Sequence, residues 1–152
     1  MRAIFTALAL SLALPMAACS QEASEATGVA TVPVTITMAG QVHRFNAEVA
    51  RDVEAQKQGL KFRPSLPDGG GMIFPFDKPR IATFWMQDTP IPLDMFFIRA
   101  DGSIDRIAEN TIPQSLEPVT SGGEVSAVLE LAGGTAARLG IDETAKVTWK
   151  DR

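Results

Sequence analysis

The stretch FWMQDTPIPLDMFF (residues 84–97) holds two apolar runs that are separated by two carboxylates and two prolines. Successive side chains of a β-strand point to opposite faces, and both runs place apolar residues on both faces. Such runs are typical of strands that are covered on both sides. Pro90 and Pro92 hold the connection extended, since a residue before proline disfavours the helical region. The stretch therefore predicts a β-rich fold in which two central strands meet at a polar connection.

Short strand patterns also fill most of the remaining chain. Residues 29–38 and 42–50 alternate between apolar and polar side chains and predict a hairpin. Further strand-like runs are MIFPF, SIDRIAEN, SAVLELA and AKVTWK. Residues 52–60 predict a helix with an aspartate cap and a glycine stop, and 133–140 predict one or two helical turns. We therefore expect one mainly β domain, a jelly-roll-like sandwich or barrel with one or two short helices.

The N-terminus, MRAIFTALALSLALPMAACSQ, has the order of a secretory signal: one basic residue, an apolar stretch and small residues. Its twelve apolar residues would reach about 18 Å as a helix, less than the bilayer core of about 30 Å. MAAC resembles a bacterial lipobox, in which Cys19 is lipidated. We expect a removed signal peptide at 1–18, a flexible tether at 19–28 and the β domain at 29–152.

A lipid anchor on Cys19 would attach the chain to a membrane. Ser20 follows the cysteine, which resembles lipoproteins that are sorted to the outer membrane. We therefore expect an outer-membrane lipoprotein at the periplasmic face of the bacterial envelope. Because the chain has one cysteine, its fold does not depend on an internal disulfide.

Composition disfavours several classes of partner. The formal net charge is −4 and the basic residues are scattered, which opposes nucleic-acid binding. One histidine and one cysteine do not supply a usual zinc site, and DGGG lacks the Lys and Ser/Thr of a phosphate loop. Met72, Met86 and Met95 could offer thioethers to copper, but methionines in apolar strands more commonly fill cores. The sequence therefore predicts no cofactor and no metal.

The polar connection at 84–97 carries the candidate site. Asp88 cannot accept the usual turn bond from the amide two residues on, because Pro90 has no N–H. Asp94 lies inside an apolar strand, where an unpaired carboxylate is costly, so it should be paired or exposed. Arg63 is the preferred partner because its guanidinium can bind a carboxylate bidentately. Other cations remain open as partners, namely Lys78, Arg80 and Arg99.

Two interpretations of this cluster follow. In the structural interpretation, the Arg63–Asp94 pair ties the loop at 61–71 to the end of a strand. In the functional interpretation, a polar pocket is walled by Trp85 and Met86 and binds a ligand. The candidate polar or ligand-binding cluster therefore contains five residues: Arg63, Trp85, Met86, Asp88 and Asp94.

Three segments, GLKFRPSLPDGGGMIFPF, FWMQDTPIPLDMFFIRADGSI and SGGEVSAVLELAGGTAARLGI, closely resemble the DUF192 family. The resemblance covers most of the chain after about residue 45. It implies a small, mostly β, jelly-roll-like protein, and the family has no assigned function. The positions that match the family pattern are Gly59, Leu60, Arg63, Gly71, Met72, Phe74, Phe84, Trp85, Met86, Thr89, Pro92, Leu93, Asp94, Gly102, Ser121, Glu130, Leu131 and Gly140.

The chain departs from this pattern at Gln87, where the family more usually has a basic residue, and at Asp88, where Asn is common. Residues 110–123 also lack a cysteine that is often found there. A function that needs that cation or that thiol is therefore not expected.

No catalytic template is complete in the sequence. His43 and Ser121 could belong to a triad, but GxSxG is absent, and we expect His43 to be a solvated strand residue. Asp88 with Asp94, or Asp94 with Glu130, could be a glycosidase pair, although alternation favours a solvated position for Glu130.

We therefore expect a non-catalytic binding or interaction domain, tethered in the envelope, whose partner is a glycan, a peptide or another envelope protein. The alternative is a carboxylate-dependent enzyme that acts on an envelope polymer such as a glycan. A purely architectural lipoprotein is a third class, which would bind no small molecule.

Overall fold

A computed structural model describes residues 30–150 of the chain. The predicted signal peptide, Cys19 and the tether lie outside the described residues. The elements in chain order are β1 (Thr31–Met38), β2 (Gln41–Val49), α1 (Val53–Gln58), β3 (Gly70–Arg80), β4 (Thr83–Phe84), β5 (Leu93–Ile98), β6 (Ile104–Ala108), β7 (Val119–Thr120), β8 (Val125–Ala132), α2 (Thr135–Leu139) and β9 (Lys146–Trp149).

Seven strands form one sheet in the order β6-β5-β8-β3-β2-β1-β9, and β4 pairs with β7 in a small second sheet. Neighbouring strands are antiparallel, except for β2 and β3, which are parallel and are connected through α1. The long sheet curls into a half-barrel. At its ends, the Val147 N–H donates to the Gly102 carbonyl at 2.9 Å, so the β5–β6 turn lies against β9. The prediction of a mainly β, single-domain fold is confirmed.

The sheet carries an apolar layer on each face. One layer, which we call the α2 side, contains Ile36, Phe96, Leu129 and other side chains together with Ala136 of α2. The other layer, the α1 side, contains Phe97 and others and packs against the loop that follows α1. All six residues of β5 are buried, as expected for a central strand. Alternation along β5 and β8 therefore sends neighbouring residues into different layers.

Most of the local predictions are confirmed. The β1–β2 hairpin forms as expected, and Asp52 caps α1 by accepting the Ala55 N–H at 2.7 Å. The prediction of a central strand at 84–87 is wrong, because β4 ends at Phe84 and pairs only with β7. After β4 the chain turns into a loop, where the Met86 N–H donates to the Ser115 carbonyl at 3.1 Å instead of to a sheet neighbour.

Candidate functional site

Asp94 is fully buried on the α2 side, where backbone amides satisfy its carboxylate. Its Oδ1 accepts the N–H groups of Asn110 at 2.7 Å and Gly134 at 3.0 Å, and its Oδ2 accepts that of Ala136 at 2.7 Å. Three amide donors can hold a buried carboxylate without a cation beside it. Asp94 therefore ties the start of β5 to the loop after β6 and to the first turn of α2.

Arg63 lies elsewhere, with Glu48 of β2 as its partner. Its guanidinium binds the Glu48 carboxylate through both oxygens, at 2.5 and 2.6 Å. The predicted Arg63–Asp94 pair is therefore wrong. The physical reason is that Asp94 lies on the α2 side and its carboxylate is already satisfied there by backbone amides, whereas the Glu48 carboxylate of β2 lies within reach of Arg63.

The other three predicted residues also separate. Met86 is buried, and its sulfur accepts the Thr111 hydroxyl at 3.1 Å, so it belongs to the core. The Asp88 carboxylate lies 4.0 Å from the Lys61 ammonium. Trp85 is 56% exposed and lines a cavity. The five residues therefore do not form one cluster, and Trp85 alone among them lines this cavity.

The cavity lies on the α1 side, between α1, the loop after it and β4, and has a volume of about 510 Å³. Its aromatic wall is formed by Phe74, Phe84 and Trp85. The rings of Phe74 and Phe84 meet edge to face, with centroids 5.1 Å apart and an interplanar angle of 82°. This arrangement is favourable for aromatic pairs and gives the cavity a defined apolar wall.

Glu130 also lines the cavity, although the side chain is only 4% exposed. It lies on β8, where its register partners are Met72 of β3 and Met95 of β5. Within residues 30–150 its carboxyl makes no hydrogen bond or ion pair. Burial raises the pKa of Glu130 to about 8, so the group is mostly protonated at neutral pH. A neutral carboxyl can donate a hydrogen bond to a molecule in the cavity.

The expectation that Glu130 is solvated is wrong, because β8 lies between β3 and β5 and both of its faces are covered. Sequence reasoning missed its importance for this reason. The available signal was the run VLEL, in which one carboxylate stands among apolar residues. Glu130 is also one of the positions that match the family pattern, but the pattern assigns no function to it.

Three basic residues line the cavity. Lys57 pairs with Glu54 at 2.9 Å, and Lys61 lies beside Asp88. The guanidinium of Arg80 stacks over the Phe76 ring, 4.0 Å from its centroid, and has no carboxylate partner in the described part of the chain. Glu130 is the one acidic residue that lines the cavity among residues 30–150. The walls therefore combine aromatic surface, positive charge and one buried carboxyl.

The structure does not bring the candidate catalytic residues together. Asp94 is on the α2 side and Glu130 on the α1 side, so the sheet separates them and they cannot flank one substrate bond. The Ser121 hydroxyl accepts the Ala82 N–H at 3.0 Å. His43 is half-buried rather than solvated, and its Nε2 is buried with no partner among the described residues.

Two further observations concern metals and membranes. No group of three or more His, Cys, Asp or Glu side chains that could hold a metal ion occurs within residues 30–150. Over the same range, no helix has the length and the apolar character needed to span a bilayer.

The fold and the cavity define the class: a small half-barrel domain with an aromatic cavity that contains a buried carboxyl. The profile of the DUF192 family, described as "Uncharacterized ACR", matches residues 34–149. The chain therefore belongs to the DUF192 family. No curated protein matches the chain.

The solved structures that are similar to the chain include the following two. One, from Novosphingobium aromaticivorans and described as a protein of unknown function, is 45% identical and has a TM-score of 0.78; the match covers 82% of this chain and 89% of that chain. The other, from Sinorhizobium meliloti and described as a "putative transcription regulator", is 36% identical with a TM-score of 0.77, and covers 82% of this chain and 97% of that chain.

Proposed function

We propose that this protein is a non-catalytic domain that binds a small ligand in the cavity between α1 and β4. One observation carries the proposal: the Glu130 carboxyl is buried, faces the cavity and makes no polar contact within residues 30–150. Burial of a carboxyl in apolar surroundings opposes folding, as the raised pKa of Glu130 reflects, so its retention needs a reason. A ligand that accepts a hydrogen bond from Glu130 would supply one.

The size and walls of the cavity support this proposal. Its volume of about 510 Å³ lies within the range of small-molecule sites. Trp85 is large and apolar and lines this cavity, yet more than half of its surface is exposed. Exposed tryptophans at concave apolar surfaces commonly provide contact area for a ligand.

Backbone strain beside the cavity also supports the proposal. Phe62 and Asp88 have φ angles of +61° and +57°, which are uncommon for residues other than glycine. The Phe62 N–H donates to the Asp88 carbonyl at 2.7 Å, so the two strained residues hold each other in place. Lys61 and Gln87, their chain neighbours, line the cavity. Such strain is concentrated at binding and active sites in many proteins.

The proposal includes the compartment. A lipid anchor on Cys19 would place the domain at the periplasmic face of the envelope, as an outer-membrane lipoprotein. Its ligand would then be an envelope component, namely a glycan fragment, a peptide or a segment of another envelope protein. Detergent partitioning and mass spectrometry of the chain produced in a Gram-negative bacterium test this part, because Cys19→Ala should abolish a lipid modification.

The description of the Sinorhizobium meliloti structure suggests a different class of partner, namely DNA. The sequence of this chain has a pI of about 5.0 and a net charge of −4, and acidic proteins repel the phosphate backbone. We therefore propose no nucleic-acid partner. Binding of a duplex that weakens with added salt would contradict this.

A fragment screen by ¹H–¹⁵N NMR tests the binding function. The two tryptophans give two indole N–H signals, and Trp85→Phe identifies the signal from the cavity. We expect fragments that shift the Trp85 signal and leave that of Trp149, which lies in the α2-side layer, unchanged. If a diverse library of neutral, anionic and cationic fragments leaves Trp85 unshifted, the cavity is not a ligand site.

The alternative is an enzyme in which Glu130 is a general acid, and the raised pKa of this carboxyl favours it. Ligands found in the screen discriminate the two functions. For a binding domain, a ligand is recovered unchanged after long incubation with the full chain. Turnover that disappears in Glu130→Gln, while the ligand still shifts the Trp85 signal, would establish the enzyme instead.

A further inference from the structure

Within the proposed function, on which this step rests, we infer that the cavity selects amphipathic carboxylates. The apolar body of such a ligand would lie against Trp85, its carboxylate would face Arg80, and a hydrogen-bond acceptor would face Glu130. Three features of the cavity favour such a ligand: the aromatic wall, the basic lining residues and the single buried carboxyl.

The charge of the walls favours an anion. Three basic residues line the cavity, Lys57, Lys61 and Arg80, against one acidic residue, Glu130. Two of the cations already have a carboxylate nearby, whereas Arg80 has an aromatic ring beside it and no acidic partner within residues 30–150. A guanidinium binds a carboxylate with two parallel hydrogen bonds. Arg80 lines both this cavity and the neighbouring one that contains Phe76, so a turn of its side chain away from that ring would bring the guanidinium to the charged end of the ligand.

The surroundings of Glu130 also favour an anionic ligand. Its neighbours across the sheet are the thioethers of Met72 and Met95, which do not stabilise an ionised carboxylate. Because burial raises its pKa to about 8, Glu130 is mostly neutral at pH 7 and donates a hydrogen bond without repelling an anion. A cationic ligand would gain no charge partner from a neutral Glu130 and would be repelled by Arg80, which has no acidic partner within residues 30–150.

The apolar body has a defined place. The Phe74–Phe84 pair fixes one wall, and the exposed ring of Trp85 offers a second surface. Burial of apolar ligand surface between such rings supplies most of the affinity, and the charged groups select among ligands of similar shape. A ligand without an apolar body, such as acetate, should therefore bind too weakly to shift the Trp85 signal.

Three probes with the same apolar body and different charge test the inference: 4-phenylbutyrate, 4-phenylbutanol and 4-phenylbutylamine. Each is titrated into the full chain at pH 7 while the Trp85 indole signal is followed. We expect 4-phenylbutyrate to bind about tenfold more tightly than the alcohol, or ~1.4 kcal/mol, and the amine to bind most weakly. N-acetyl-phenylalanine carries the acetamide group of a peptide C-terminus, so tighter binding of this compound than of 4-phenylbutyrate indicates a peptide terminus rather than a simple acid. Its C-terminal amide lacks the carboxylate and should bind weakly.

Variants of Arg80 and Glu130 test which residues produce the selectivity for the acid. Arg80→Gln, at an exposed position, should weaken 4-phenylbutyrate about tenfold and leave the alcohol unchanged. Arg138→Gln is the matched control, because Arg138 is an exposed arginine on α2 that does not line the cavity. Glu130→Gln keeps a hydrogen-bond donor and should keep the affinity for N-acetyl-phenylalanine, whose acetamide carbonyl can accept that bond. Glu130→Leu should lower the affinity for N-acetyl-phenylalanine.

The outcomes separate this inference from the function on which it rests. If the amine binds more tightly than the acid, or if Arg80→Gln has no effect, the ligand class is wrong but the cavity is still a ligand site. If no probe and no screened fragment shifts Trp85, both the ligand class and the binding function fail. Preference for the acid that Arg80→Gln removes and Arg138→Gln retains supports the inference.

Discussion

At the scale of single residues, the ionisation of Glu130 makes stability depend on pH. Burial raises its pKa from 4.5 to about 8, so between these values the folded state keeps a proton that the unfolded state has lost. This contribution to stability is complete below pH 4.5 and is lost as pH rises through about 8. A change of this pKa from 4.5 to about 8 corresponds to at most about 5 kcal/mol of stability.

We therefore expect the wild-type chain to lose stability relative to Glu130→Gln between about pH 5 and about pH 9. Urea unfolding of both chains across this range measures the difference. Glu124→Gln, at an exposed position, is the control and should show no pH-dependent difference of this size. A difference between wild type and Glu130→Gln that stays constant with pH would contradict the prediction.

The burial of Glu130 and the hydrogen-bond donors to Asp94 could not be predicted from the local sequence. Alternation in VLEL assigns Glu130 a face, but whether that face is covered depends on β3 and β5, which pair with β8 from distant parts of the chain. Asp94 is similar, because its donors lie between 16 and 42 residues further along. Sequence reasoning recognised that this carboxylate needs partners, but it proposed a side-chain cation where backbone amides supply the donors.

At the scale of elements, Asp94 joins β5 to α2, a helix of five residues. We expect Asp94→Asn to lower the free energy of unfolding by about 2–4 kcal/mol, because an amide replaces one acceptor oxygen with a donor that faces other donors. Chemical denaturation measures the loss, and the Ala136 amide should exchange its hydrogen faster. Asp68→Asn, at an exposed loop position, is the control.

This variant also tests the earlier functional interpretation of Asp94. Because Asp94 lies on the α2 side, a folded population of Asp94→Asn should bind cavity ligands as the wild type does. A variant of unchanged stability that has lost binding would place Asp94 in the functional site instead.

The strands and helices were predictable where local pattern decides them. The β1–β2 hairpin and α1 have their signals within a few residues, namely a short turn, the Asp52 cap and the Gly59 stop. The apolar run after β4 is a different case, because its pattern also fits a central strand. Its backbone instead bonds to a loop near Ser115, a contact between distant segments that no local pattern contains.

At the scale of the whole molecule, the strand order decides how the half-barrel ends. β6 and β9 are the two outer strands of the long sheet, and the order between them follows neither the sequence nor simple alternation. The turn between β5 and β6 reaches β9 through the Gly102–Val147 bond, a Ser103–Lys146 bridge and an ion pair of 3.1 Å between Lys146 and Asp101. We call these contacts the seam.

Gly102 allows a direct test of the seam, because its φ of +83° disfavours any side chain. We expect Gly102→Ala to cost about 1–2 kcal/mol and to speed hydrogen exchange at the Val147 amide more than this global loss explains. Gly40→Ala is the matched control, since Gly40 has a φ of +80° in the β1–β2 turn, away from the seam. Both variants pay for the same backbone conformation, but only Gly102→Ala should loosen the contact between the β5–β6 turn and β9. Equal protection of Val147 in the two variants, once their global stabilities are matched, would mean that the seam does not contribute to holding the ends of the half-barrel together.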